Sequence, residues 1–468
     1  MRHSAYRSFA AISFLATAAS LGAATRPAYG NALRVEIRAA VRTLDPSEWP
    51  ADASGSQAEF SAGERLAKLV FERLVVLDEN AMPRPSLALS WKSEGKARWL
   101  FRLRPGVKLH DGSPLTPAAV AAALGPARNG WAIASGDGAV IVQSDLPLER
   151  LLAELADVRR SIVVRGPNGA LAGTGPFRIA QWEPGRRALL AANEQYWGGR
   201  PFLDTVSIEM GRASQDQLLN LETGKSDFVE ISSGELRRAS ERGLKMWQSA
   251  PIGLVALVFE PGRPAADNAR LREAIALAID RKAIHNVLLQ RQGDPAGSLL
   301  PQWIGGYAFL FPGERDLARA RQLAPPAQTL VLGYDPSDVL LRAIAERIAV
   351  NVRDTGIKLA VTGQPVKADL RVVTARIDCA RPEQALIELA ETLRLSARLH
   401  LANPPSLESV FAAERDLTGD FLVIPLFHLP EIFASTPSLK VWNTAGVLKT
   451  GDWKFDDMWL EKAARNEE

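Results

Sequence analysis

The segment Thr329–Thr362 constrains the fold of this chain more tightly than any other stretch. Thr329–Tyr334 has the apolar and β-branched content of a strand. Ser337–Val352 places Leu340, Ile344, Ile348 and Val352 along one helical face, and Ile357–Thr362 reads as a second strand. Strand, amphipathic helix and strand in that order form a β-α-β unit whose two strands should run parallel, because a crossover of this length returns the chain to the same edge of the sheet. This part of the protein is α/β.

The rest of the chain mixes both element types. Leu33–Ile37 alternates as a strand, and Ala62–Leu77 carries Leu66, Leu69, Val70 and Leu74 at helical spacing. Trp99–Leu103, Ile162–Val164, Phe177–Trp182 and Arg187–Ala192 read as strands bounded by Gly or Pro. Thr116-Pro117 is a cap-and-first-turn pair for a helix over Ala118–Leu124, while Asp267 and Asn268 are cap candidates for one bearing Leu271, Ile275, Ala278 and Ile279. Phe421–Phe427 is a further apolar run, interrupted by Pro425. A length of 468 residues with 47% hydrophobic content suits two or three compact units. A boundary between two lobes falls near Pro261–Pro264.

Composition excludes several classes. With Cys379 as the lone cysteine no internal disulfide can form, and stability must come from packing. The formal charge of +3 is carried by Arg2, Arg7 and Arg26 at the start; without them basic and acidic side chains balance, so nothing favours nucleic acid or anionic lipid. Residues 1–30 read as a secretory leader: Arg2 and Arg7 precede the apolar stretch Phe9–Ala24, and Ala28-Tyr29-Gly30 offers a small-residue cleavage site. The alternative, an uncleaved anchor, is disfavoured because the apolar stretch is shorter than the ~20 residues a span needs. The expected product is an exported, soluble, periplasmic protein.

Three ordered segments carry a family resemblance. Leu87-Ala88-Leu89-Ser90-Trp91 followed by Trp99–Thr116, including Gly106-Val107-Lys108-Leu109-His110-Asp111-Gly112, is the first. Gly173-Thr174-Gly175-Pro176-Phe177 with Asn193-Glu194-Gln195-Tyr196-Trp197-Gly198-Gly199 is the second, and Leu271–Arg281, ending in Ile279-Asp280-Arg281, is the third. Together they resemble the signatures of family 5 of the extracellular solute-binding proteins, the dipeptide, oligopeptide and nickel-binding components of ABC importers. The resemblance implies a two-lobed α/β periplasmic binding protein fold, type II-like, with a reduced extra subdomain in the first lobe. It implies lobe I over 31–260, with that subdomain at about 60–170, lobe II over 261–420, and a return to lobe I over 421–468, with crossings near Leu254–Glu260 and Phe421–Phe427. It also implies a membrane permease as partner, a peptide-like or other small ligand, no cofactor, and a monomer closing like a hinge. The signature residues themselves read as scaffold: turn glycines and, at Asp280-Arg281, a tether between elements.

Where peptide-binding members of that family carry an acidic segment that meets the peptide ammonium, this chain has Thr374–Pro382, with Arg376, Asp378 and Arg381. A carboxylate flanked by two guanidiniums is a poor partner for an ammonium, which weakens the peptide reading; arginines facing the cleft would favour an anionic group. Trp49, Trp303 and Tyr307 stand in loop-like surroundings and complete the candidate ligand-binding set.

Catalytic and metal centres find little support. The five histidines are scattered, so no protein-built metal site is expected, although His428 allows a nickel-type role to be imagined. Gly173-Thr174-Gly175 lacks the third glycine and the context of a dinucleotide loop. Ser93-Glu94-Gly95-Lys96 with Lys449-Thr450-Gly451 copies two elements of a penicillin-recognising acyl enzyme, which keeps an exported serine hydrolase as the alternative of another class; no catalytic residue is assigned. A third reading is a family member that acts as a non-transport partner or sensor.

Overall fold

Two long strands organise the chain. Lys245–Phe259 and Val423–Ser435 pair antiparallel from Lys245↔Ser435 at one end to Val258↔Val423 at the other. Toward the second end both faces are covered. Val255, Leu257 and Phe259 join Ile275, Ile344 and Phe427 in one core, while Leu254, Ala256 and Val258 join Leu386, Leu389 and Leu417 in another. Residues that alternate in direction but are all buried explain why this run is apolar throughout. At the first end Phe433 packs with Phe228, Leu33 and Val35, and Ile432 and Ala434 pack on the opposite face with Val229.

The computed structural model describes residues 27–49, 57–95, 97–125, 131–166, 169–326, 328–336, 338–364, 367–377, 379–443 and 445–461. The leader expected over residues 1–30 lies outside them up to residue 26. Among the described residues the main sheet runs Phe177–Glu183, Arg187–Ala192, Thr205–Glu209, Ala32–Glu36, Phe228–Glu230, Val423–Ser435, Lys245–Phe259, Leu370–Arg376, Thr329–Gly333 and Lys358–Thr362. The β-α-β unit is present as expected. Thr329–Gly333 and Lys358–Thr362 pair in parallel, joined by the helix Val339–Arg353, which Asp338 caps and which buries Leu341, Ile344, Ile348 and Val352. A separate four-stranded sheet, Ala88–Ser93, Arg98–Leu103, Ala139–Gln143 and Ala132–Ser135, forms a small subdomain around Phe101, Val140 and Leu151. No helix among the described residues is long and apolar enough to cross a membrane.

The helix expected over Ala62–Leu77 is displaced: it spans Gln57–Val70, and Val75–Leu77 instead pairs with Pro83–Pro85. The cause is tertiary. The Gly175 amide donates to the Val70 carbonyl at 3.0 Å, an acceptor that continuing the helix would require. Strand Val423–Ser435 likewise runs on past the expected Phe427, and its register shifts beside Pro425 absorb the missing amide.

The signature residues lock one another. The Gly173 amide donates to His110 Nδ1 at 3.1 Å, which leaves the proton on Nε2 to donate to the Gly175 carbonyl at 3.1 Å. Burial then pulls the His110 pKa down to about 4, so the ring stays neutral. Asn193 Nδ2 donates to the same Gly175 carbonyl at 3.0 Å, and Tyr196 and Trp197 donate to Glu72 at 3.2 and 2.8 Å. In the third segment Asp280 caps the helix Arg281–Val287, and Arg281 donates twice to the Pro425 carbonyl at 3.0 and 2.8 Å. A Cβ at Gly175 would lie 2.7 Å from the Val70 carbonyl and 2.8 Å from that of Leu69, both backbone groups. Gly175→Ala is expected to destabilise the fold by about 1–3 kcal/mol, read as a lower urea midpoint at unchanged slope.

Candidate functional site

The pairing of the two long strands is irregular in one place. Its register shifts between Gln248 and Pro251 and again between Pro251 and Gly253, opposite Leu429 and Pro430. A cleft of about 4770 Å³ opens at this point, lined by Gly253, Leu429, Pro430 and Glu431 at its base. It far exceeds the roughly 300–1,000 Å³ of a typical small-molecule pocket, as an open space between two bodies should. One wall holds Trp49, the inner face of helix Gln57–Val70 and the turn after helix Leu148–Ala156; the facing wall is the helix Pro382–Thr392.

The base of the cleft is charged and largely buried. Arg65 pairs with Glu431 and lies 3.9 Å from Glu230, donates from Nε to the Gly451 carbonyl at 3.1 Å, and stacks over the Phe433 and Trp453 rings. Arg376, at the end of strand Leu370–Arg376, reaches Glu431 at 3.3 Å and Glu64 at 3.5 Å, and donates to the Thr450 carbonyl. Lys68 pairs with Asp452 at 3.0 Å. Burial alone would raise the Asp452 pKa, but Lys68, Arg376 and Arg65 outweigh it and hold that carboxyl well below the usual range. Because Arg376 belongs to one body while Glu64 and Thr450 belong to the other, these contacts span the cleft base.

The sequence candidates separate into three groups. Trp49 lines the cleft, its Nε1 donating to the Thr43 carbonyl at 3.3 Å and its ring meeting Phe60 edge-on. Arg376 and Arg381 also line it. Arg376 is neutralised by two carboxylates, so it brings no net positive charge to a ligand; Arg381 begins helix Pro382–Thr392 and lies 4.0 Å from Glu383, with its Nε buried and without a hydrogen-bond partner. Asp378 lies outside the described residues. Trp303 and Tyr307 are not among the cleft-lining residues. Trp303 donates to the Pro251 carbonyl at 3.1 Å, and Tyr307 is buried, donating to Glu414 at 2.9 Å beside Phe411. Loop context had suggested exposure, but a ring inside a folded loop can pack downward as readily as outward.

Glu64, Arg65, Lys68, Glu431 and Asp452 escaped the sequence reading. A signal existed for Glu431, an isolated carboxylate in the apolar run Val423–Ser435, and for Glu64 and Arg65, which sit beside the apolar stripe of their helix. Ser93 is engaged within its own turn, its hydroxyl donating to the Gly95 carbonyl, while Lys96 lies outside the described residues. His428 Nε2 donates to the Leu299 carbonyl at 2.9 Å, and burial pulls its pKa down to about 4. Among the described residues no group of His, Cys, Asp or Glu is arranged to hold a metal ion.

Residues 147–376 match the family model described as bacterial extracellular solute-binding proteins, family 5 Middle. The Bacillus subtilis protein YhjP is 36% identical over 155 residues, 30% of this chain and 27% of YhjP. The probable ABC transporter periplasmic-binding protein SapA of Escherichia coli is 21% identical over 236 residues, 50% of this chain and 42% of SapA. The matches thus span less than half the length of these two curated relatives. The periplasmic binding protein DppA of Helicobacter pylori, solved with the peptide STSA, superposes with a TM-score of 0.75 at 18% identity, over 93% of this chain and 99% of DppA. This likeness shows a shared two-lobed, type II periplasmic binding protein fold.

Removing Arg376 would strip the buried Glu64 of its ion pair and leave Glu431 to Arg65 alone. Arg376→Met is expected to cost about 3–5 kcal/mol. Adding Glu64→Gln should recover part of that loss, and denaturant unfolding of the single and double variants measures the coupling.

Proposed function

The chain belongs to family 5 of the bacterial extracellular solute-binding proteins, and on that premise we propose that it is an exported solute receptor of an ABC importer. It captures a small ligand, peptide-like or otherwise, between its lobes and hands it to a membrane permease without bond chemistry. The observation that carries this reading is the cleft itself, joined across its base by two strands whose pairing is broken at Gln248–Gly253 and Leu429–Pro430. Interrupted ladders are where a sheet bends most easily. We therefore place the hinge there, a few residues from the crossings expected near Leu254–Glu260 and Phe421–Phe427, with lobe I before it and lobe II over about 254–428.

The mechanism is a shift of population. An open form samples closure, a ligand touching both walls binds the closed form more tightly, and the difference in affinity sets how far the equilibrium moves. Capture at micromolar ligand needs about −8 kcal/mol, which a few buried hydrogen bonds and a Trp49 contact could supply. The receptor is proposed to act as a periplasmic monomer, with Trp49 and Arg381 among its contacts.

Native mass spectrometry of protein purified without refolding is expected to show a co-purified small molecule. Adding that molecule back to stripped protein should raise the melting temperature and reduce the radius of gyration in small-angle scattering. Stripped protein whose melting point and dimensions respond to no solute would overturn the proposal.

A further inference from the structure

Helix Pro382–Thr392 turns a stripe of polar side chains to the cleft: Gln384, Glu388 and Glu391, with Arg381 at its start. Glu388 Oε1 accepts from Gln384 Nε2 at 2.9 Å. Its other oxygen, Oε2, is closed off from solvent and has no hydrogen-bond partner. No Lys or Arg among the described residues forms an ion pair with it. Arg381 stands two turns away, roughly 10 Å along the helix axis; its guanidinium lies 4.0 Å from Glu383, and its backbone amide donates to Cys379 Sγ at 3.4 Å.

The charges that act on Glu388 are negative. Asp157 and Glu64 come from the facing wall, and Glu391 lies on its own helix. Glu64 already pairs with Arg376, Asp157 lies 4.0 Å from the Arg159 guanidinium, and Arg73 acts on both, so these two carboxylates are partly neutralised on their own wall while Glu388 is not. Like charges on opposite walls oppose closure unless something positive enters between them.

We propose that the cleft selects a solute bearing an ammonium or guanidinium group, which seats on Glu388 Oε2 as the two walls close. This rests on the receptor reading above and adds the ligand's charge class to it. The cation bonds a buried carboxylate oxygen that, among the described residues, has neither a hydrogen-bond partner nor an ion pair. It also removes the repulsion between Glu388 and the Asp157 and Glu64 side of the cleft, so the same contact provides affinity and drives closure.

Proton linkage follows. Burial, reinforced by Asp157, Glu64 and Glu391, pushes the Glu388 pKa up to about 7. The groups that face it are Asp157 and Glu64 across the cleft, Glu391 and Gln384 on its helix, and Cys379 and Arg381 at that helix's start. A bound cation favours the ionised carboxylate, so binding near pH 7 releases a proton. Affinity falls as the pH drops below 7, by up to about tenfold per pH unit.

The experiment is calorimetric titration with putrescine and agmatine, compared with butane-1,4-diol and succinate as neutral and anionic four-carbon counterparts. Either amine is expected to bind at least about tenfold more tightly than the diol, with a heat at pH 7 that differs between phosphate and Tris because a proton is released. Glu388→Gln keeps the side-chain shape and the helix while removing a buried charge. It should fold with an unchanged or higher melting temperature, lose about tenfold or more in amine affinity, and lose the buffer dependence. Preferential binding of succinate or the diol, no binding of either amine, or an amine affinity that Glu388→Gln leaves intact would each overturn the inference. The co-purified molecule separates the two readings: a neutral or anionic solute removes the cation assignment and leaves the receptor standing, whereas a protein responsive to no solute removes both.

Discussion

Everything in this molecule depends on the antiparallel pairing of Lys245–Phe259 with Val423–Ser435. The two strands are long enough to serve two bodies, and each end is buried in a different pair of cores. Backbone hydrogen bonds hold the bodies in one sheet, while the broken register around Pro251 and Pro430 prevents that sheet from being uniformly stiff. The lobes are thereby tied together without being fixed. A continuous ladder would have given one rigid block, and a flexible linker would have let the walls drift apart.

The ion network sits where that pairing is weakest. Arg65, Arg376, Glu64, Glu230 and Glu431 form a set in which each buried charge faces an opposite one. Such a set adds little to stability compared with an apolar core of the same volume, since desolvation offsets most of the attraction. It does constrain geometry, because shifting one lobe against the other separates charges that have little access to water. Glu388 stands apart from this balance, and a ligand rather than the protein is left to neutralise it.

The signature segments illustrate how far motif reading extends. Turn glycines and a tether were expected of them, and the structure gives each a partner: His110 with the Gly173–Gly175 loop, Tyr196 and Trp197 with Glu72, and Arg281 with Pro425. These contacts join elements far apart in the chain, so their residue types are recognisable in sequence while their partners are not. Helix Gln57–Val70 shows the converse. Its periodicity continued through Leu74, and it stopped earlier where amides from distant segments, Gly175, Ile162, Leu87 and Ala88, took the carbonyls of Val70, Glu72, Arg73 and Leu74.

Local pattern alone determined the β-α-β unit, the caps at Thr116 and Asn268 and the α/β class, because hydrophobic period and capping chemistry act over a few residues. Tertiary structure decided which polar groups met. Tyr307 turned inward to Glu414, Arg376 was neutralised by carboxylates from helix Gln57–Val70 and strand Val423–Ser435, and Glu388 was left facing like charges. The energy of a charge depends on what lies within a few ångströms of it in space, and sequence separation carries almost no information about that distance.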